Sequence, residues 1–384
     1  MLSKWCLLNY MRTILSFLFV LMVAGSVKSS AQISQIFPDG YSVTGVRASD
    51  ASGNMIIAGG TGTSPFFYSG PLPSSTNPGN TYTSNLVPII NGNAITGTST
   101  FYGPNTPYYD SSIGAGNVLA VGSYKETLSS TYQNGMMYLG PITGSTSSSN
   151  WTSIKVTESV AGQAVGDTIP HSTMGNLVVG NYNTAVPSSG QGFIYNISAQ
   201  SYKKLSFGDV TSAFGIWQNG GSTSSLYTIV GGYTLLGGDS QIGSKGQLGY
   251  IVNYNASTDA FSNFTELSLN NDRSIFTHVE GIAAYQDGFS LATMSVKDGL
   301  LSAAYAFVPV TAGGFGTASW DVINNNLSGT STTGDTVIDR SLMGLYTTTG
   351  GASASFVYSV PEPSSLSLLA VGIGGLVMIR RRRS

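Results

Sequence analysis

The sequence predicts an all-β repeat fold, a six-bladed β-propeller, bracketed by an N-terminal signal helix and a single C-terminal transmembrane helix. Glycine accounts for 49 of 384 residues and only 9% are charged, a composition that favours short strands joined by many turns. Hydrophobic residues still make up 41% and aromatics 11%, enough to bury a core rather than leave a highly charged, disordered chain. A two-part apolar pattern also recurs along the body at intervals of roughly 50 to 62 residues, within the range of propeller blades.

The chain divides into residues 1–31, 32–360 and 361–384. At the start, Lys4 and Arg12 precede "ILSFLFVLMVAGSV", and small residues follow at Ser29 and Ala31. This is the layout of a secretory signal peptide cleaved after Ala31. In the body, each unit opens with an apolar strand ending in glycine or a small residue. Examples are "NMIIAGG" from Asn54, "NVLAVG" from Asn117, "NLVVG" from Asn176, "YTIVGG" from Tyr227, "FSLATM" from Phe289 and a degenerate "LMGLYTT" from Leu342. A second strand begins small and turns aromatic: "SPFFYSGPL" from Ser64, "GMMYLGPI" from Gly135, "GFIYNI" from Gly192, "GYIVNY" from Gly249, "AAYAFVPV" from Ala303 and "ASFVYSV" from Ala354. A third often follows, as in "WTSIKV" from Trp151, "YKKLSF" from Tyr202, "FTELSL" from Phe264 and "WDVINN" from Trp320. Their near period-two alternation suits half-buried antiparallel strands. The last unit lacks this third strand, whereas "ISQIF" from Ile33 stands alone before the first. That N-terminal strand is expected to complete the last blade and close the ring, removing exposed sheet edges. An open β-sandwich or a solenoid is the alternative.

Few residues point to chemistry. The single cysteine, Cys6, lies in the leader, so the processed chain has no disulfide, thiolate metal site or cysteine nucleophile. The two histidines, His171 and His278, are far apart in sequence, and zincin and P-loop signatures are absent. "GGDSQIG" around Ser240 falls between strands and reads as a turn rather than a nucleophile elbow. Asp110, Asp167, Glu280 and Asp335 lie near repeat starts, and a pair of them 5–10 Å apart would suit glycoside hydrolysis. The similarity of "GDTIPHSTMG" and "GDTVIDRSLMG" instead suggests that Asp167 and Asp335 repeat a structural turn. No catalytic residue, metal ligand or cofactor is assigned. Between Lys28 and Arg380 lie nine basic and all 18 acidic residues, a net charge of -9. Such a body offers no basic groove for nucleic acid.

The C-terminus reads "VPEPSSLSLLAVGIGGLVMIRRRRS" from Val360. Residues 364–379 suffice for a helix of about 24 Å, a short membrane span ended by Arg380, Arg381, Arg382 and Arg383, which the positive-inside rule keeps cytoplasmic. Pro361 and Pro363 hold the preceding stretch extended. In its three-part order the segment resembles the PEP-CTERM sorting signal of Gram-negative bacteria. That resemblance implies recognition of Pro361, Glu362 and Pro363 by an exosortase and a passing stay in the inner membrane. Delivery would follow to the cell surface, outer envelope or exopolysaccharide matrix. The body is also similar to propeller-like extracellular repeats of bacterial surface proteins. The expected role is structural or adhesive rather than catalytic, with exopolysaccharide as a candidate partner. The alternatives are a secreted propeller hydrolase or lyase acting on polysaccharide and a membrane-anchored glycan-binding protein.

Overall fold

The computed structural model describes residues 34–360, apart from 75, 80–81, 185–189, 235–246, 298, 324–330, 348–350 and 352. The signal helix, the transmembrane helix and the "GGDSQIG" turn lie outside the described residues. Within the described residues no helix is long and apolar enough to cross a membrane.

Apart from a two-stranded ribbon, Ile89–Ile90 with Asn93–Ala94, the described strands group into six antiparallel units, here blades I to VI: residues 42–83, 99–154, 165–205, 210–267, 276–322, which carries a fifth two-residue strand, and 332–359 with Ser34–Gln35. Blades III and IV are joined through one parallel pairing, Gln191 with Thr211. The first strand of each blade is innermost: Ser42–Ala48, Ser99–Asn105, Val165–Met174, Val210–Asn219, Phe276–Tyr285 and Thr332–Ile338. Each packs against the inner strand of the next blade, and the sixth packs against the first. This closed cycle around a common axis is the defining arrangement of a β-propeller and rules out an open sandwich or solenoid.

The recurring sequence pattern maps onto the outer three strands. The first apolar halves form the second strand of each blade, the aromatic halves the third, and "WTSI", "SYKKL", "AFSNFTEL" and "SWDV" the fourth. Burial falls outward. Asn54–Gly60 is buried at every position but its first, while Ala260–Leu267 is mostly exposed or half-exposed. Strands covered on both faces must be apolar throughout, and strands with one wet face alternate.

Aromatic residues fill the spaces between blades. Phe67 of blade I stacks on Phe101 of blade II at 4.6 Å, and Phe101 lies parallel to Trp151 at 5.9 Å. Burying a side chain of this size contributes about 1.5–3 kcal/mol. A Tyr-x-Gly-Pro turn recurs in blades I and II. The Tyr68 hydroxyl donates to the Pro71 carbonyl at 2.6 Å, and Tyr138 does the same to Pro141 at 2.7 Å. The intervening glycine is needed because a Cβ at Gly140 would lie 2.9 Å from the Tyr138 hydroxyl.

The ring closes as the sequence predicts. Ser34–Gln35 pairs antiparallel with Val357 and Phe356, supplying the fourth strand of blade VI. Ser355 reinforces the seam by accepting the Val43 backbone N–H at 3.0 Å, and the Thr336 hydroxyl accepts that of Val46 at 3.1 Å.

Candidate functional site

Every inner strand loses register with its neighbour: between Val43 and Gly45, Phe101 and Gly103, Pro170 and Ser172, Ala213 and Gly215, Val279 and Gly281, and Gly334 and Thr336, with a second slip in blade III between Val165 and Thr168. A β-bulge adds one unpaired residue and re-aims its side chain. The six residues so placed are Thr44, Tyr102, His171, Phe214, Glu280 and Asp335. All six are half-exposed while both flanking residues are buried. Enclosed by the ring of inner strands yet in contact with solvent, they line the propeller axis.

The small residue after each bulge lets the inner strands approach. A Cβ on Gly103 would lie 2.7 Å from the His171 carbonyl, and one on Gly281 would lie 3.0 Å from that of Asp335. In blades III and VI this position holds Ser172 and Thr336.

The six residues divide the axis into two arcs. Tyr102, His171 and Phe214 form an aromatic wall, with ring centroids 5.0 Å apart across the first pair and 4.1 Å across the second. Glu280 and Asp335, on adjacent blades, form an acidic arc. Burial, and then the neighbouring Glu280 carboxylate, push the Asp335 carboxyl up to about 8, while the Thr333 hydroxyl donates to it at 3.0 Å. Asp335 is therefore largely protonated at neutral pH. Burial pushes His171 down to about 3, with His278 contributing, so its ring stays neutral. Tyr102 is raised by burial and by the charge of Asp335.

His278 bridges blades IV and V. Its Nδ1 lies 2.5 Å from Glu280 Oε1 and its Nε2 lies 2.8 Å from Ser212 Oγ. The order serine, histidine, carboxylate is that of a nucleophilic relay, but the Ser212 hydroxyl is clamped in the sheet. It accepts the Gly232 N–H at 3.1 Å and donates to the Gly232 carbonyl at 3.1 Å, and the residue is 5% exposed. The trio serves as a tie that fixes the Glu280 carboxylate.

Of the four acids noted in the sequence, the fold brings two together. Asp110 caps a short 3-10 turn, accepting the Ser112 N–H at 3.0 Å. Asp167 accepts the Gln133 N–H at 2.7 Å and the Asn183 amide at 3.0 Å, tying blade II to blade III. The expected equivalence of Asp167 and Asp335 does not hold. Asp335 occupies the bulge of blade VI, and its counterpart in blade III is His171, four residues beyond Asp167. Ala31, Pro361, Glu362, Pro363 and Arg380 to Arg383 lie outside the described residues, among which no three His, Cys, Asp or Glu side chains are grouped to hold a metal ion.

A second concavity, about 710 Å³, opens on the face formed by turns of blades II to IV. Its lining is neutral and amide- or hydroxyl-rich apart from Asp110, including Asn176, Asn196, Gln218, Ser224 and Ser257.

Residues 359–383 match the PEP-CTERM protein-sorting motif. Comparison with curated proteins returns no match. Among solved structures, YCF48 from Cyanidioschyzon merolae is 12% identical with a TM-score of 0.36, covering 86% of this chain and 89% of that one. The Dos1 propeller is 10% identical with a TM-score of 0.37, covering 85% and 95%. The extracellular domain of the putative one-component system BT4673 from B. thetaiotaomicron is 9% identical with a TM-score of 0.37, covering 87% of this chain and 44% of that one. The propeller assignment rests on strand register and the closed ring, not on these distant similarities.

Proposed function

We propose that this β-propeller, exported and directed to an exosortase by its PEP-CTERM motif, is a non-catalytic structural or adhesive component of the cell surface or exopolysaccharide matrix. The observation that carries this reading is the position of the two strands next to the targeting segments. Ser34–Gln35 and Ser353–Ser359 are partners in blade VI, and the sorting match begins at Ser359. Loss of residues 1–31 and of the segment beyond the Pro-Glu-Pro motif would remove no described strand. The body would be released with its ring closed. Intact-mass measurement of the protein from exosortase-positive and exosortase-deleted cells tests this. The mature form is expected to lack residues 364–384 only when the exosortase is present; a tail retained in both would overturn it. Adhesion is tested by co-sedimentation with the purified matrix polymer, and no binding would leave structure alone as the role.

One observation favours a second reading, hydrolysis of a polysaccharide. A protonated Asp335 beside Glu280, opposite an aromatic wall, is the arrangement in which one carboxyl donates a proton and the other acts as base or nucleophile. Reducing-end release from matrix polysaccharide would be abolished, by about 100-fold or more, in Asp335→Asn. Absence of turnover by the wild type across a panel of such polymers would sink this reading.

A further inference from the structure

We propose that the propeller axis binds a small monovalent anion, of the size of a halide, between Arg47 and Asn105. The site is independent of any polysaccharide and lies on the inner strands three residues beyond the bulges. Arg47 is only 5% exposed. Its Nη1 donates to the Val46 carbonyl at 2.9 Å, and its Nη2 donates to the Ile216 carbonyl at 3.0 Å and to Ser172 Oγ at 3.4 Å. The guanidinium also lies 5.4 Å from the centroid of the Trp217 ring, which Tyr109 contacts edge-on at 5.2 Å. None of these neighbours carries a negative charge at neutral pH, and Arg47 Nε has no hydrogen-bond partner among the described residues.

Asn105 holds the corresponding position on the next inner strand, three residues past Tyr102. It is fully buried. Its Oδ1 accepts the Thr106 N–H at 2.9 Å, while its Nδ2 has no partner among the described residues. The two residues that carry these donors thus hold equivalent positions on two inner strands that pack directly together.

Buried donors without partners are rare, and a buried charge without a counter-charge is rarer. Burial pulls Arg47 down only to about 10, so the guanidinium stays charged at neutral pH. Its interactions with carbonyls and the indole face offset part of the desolvation cost, but removing a cation from water still costs several kcal/mol. A water molecule would satisfy Nε and Nδ2 and leave the charge uncompensated. A monovalent anion does both. A dianion would bring a larger desolvation penalty than one guanidinium can offset, and a bulky organic anion would have to displace fully buried side chains.

Two measurements on the mature protein test the site. Crystals grown in bromide are expected to show an anomalous peak in contact with Arg47 Nε and Asn105 Nδ2. In solution, replacing gluconate by chloride at constant ionic strength is expected to raise Tm by a few degrees, saturating with chloride, because only the folded state holds the ion. Arg47→Met is expected to abolish that chloride response. Ordered water without anomalous signal beside Nε would overturn the proposal, as would equal Tm values in both salts. The bromide measurement decides the matter even if Arg47→Met does not fold.

Discussion

In blade II, Asn117–Tyr124 pairs without interruption along its whole length with the third strand, Asn134–Pro141, yet loses register at Tyr102 with the inner strand on its other side. Blades I, III, IV and V repeat the contrast. One side of the same strand is a regular ladder of apolar pairs, and the other is interrupted by a bulge that turns a side chain toward the axis. The outer strands can therefore remain alike from blade to blade, because they do the same packing job each time. The bulged position holds Thr, Tyr, His, Phe, Glu and Asp in turn, because there the six blades differ in chemistry. Stability and chemical individuality are assigned to different strands of one blade.

Substitutions on the two sides should separate these roles. The largest effect is expected from Phe67→Ala, which removes an aromatic ring from the packing between blades I and II. Urea unfolding should show a loss of about 3–5 kcal/mol. Phe214→Ala, at a half-exposed bulge, should cost less than half of that. An equal loss would break the contrast between packing strands and axial strands.

Next is Gly103→Ala, whose added methyl would press on the backbone of His171 and Ser172. A loss of about 1–3 kcal/mol is expected, because backbone atoms yield less readily than side-chain tips. Thermal unfolding with a value near zero would show that the inner strands are not held at close approach.

The axial groups should reveal themselves through pH. Asp335 is raised from 3.8 to about 8 in the folded state. The folded protein therefore holds an extra proton in that window, and stability should fall as pH rises from about 4 to 8. His171 is lowered from 6.5 to about 3. The unfolded chain takes up that proton first, so stability should fall as pH drops below about 6.5. Between about pH 4 and 6.5 the two slopes oppose each other. Asp335→Asn should leave stability rising toward pH 6.5 and flat above, and raise it at pH 8 by about 2 kcal/mol, discounted because the carboxyl keeps some solvent contact. His171→Leu should leave only the fall with rising pH. Parallel Tm profiles for wild type and both variants would contradict the assignment of these groups to the axis.

The smallest effect is expected at the rim. Lys203 pairs with Asp259 and lies 4.9 Å from the centroid of the Phe261 ring. With 67% of the Asp259 side chain exposed, Lys203→Ala should cost less than about 1 kcal/mol.

How much was legible follows the same division. The second and third strands announce themselves as apolar and aromatic runs, and the N-terminal strand as an unpaired remainder that the last blade lacks. The inner strands do not, because the bulge breaks the period-two pattern and the bulged residue varies in type. Their common signal is a residue of any kind followed by a small one, as in "VTGV", "FYGP", "PHST", "AFGI", "VEGI" and "GDTV". The resemblance between "GDTIPHS" and "GDTVIDR" misled because local identity there is four residues out of step with the structural repeat. Glu280 and Asp335 were visible as acids, but only the packing of consecutive inner strands makes them neighbours. The sorting segment was legible as a linear motif, since recognition of such a signal does not require distant residues to converge.

The seam of blade VI also dictates an order of events. Val43 and Ser355, joined by a hydrogen bond, are separated by 312 residues, so the seam carries a heavy loop-closure cost. The first blade lacks one neighbour until the last strand is in place. Latching the ring then comes late in folding, and the strand that completes it ends where the sorting match begins.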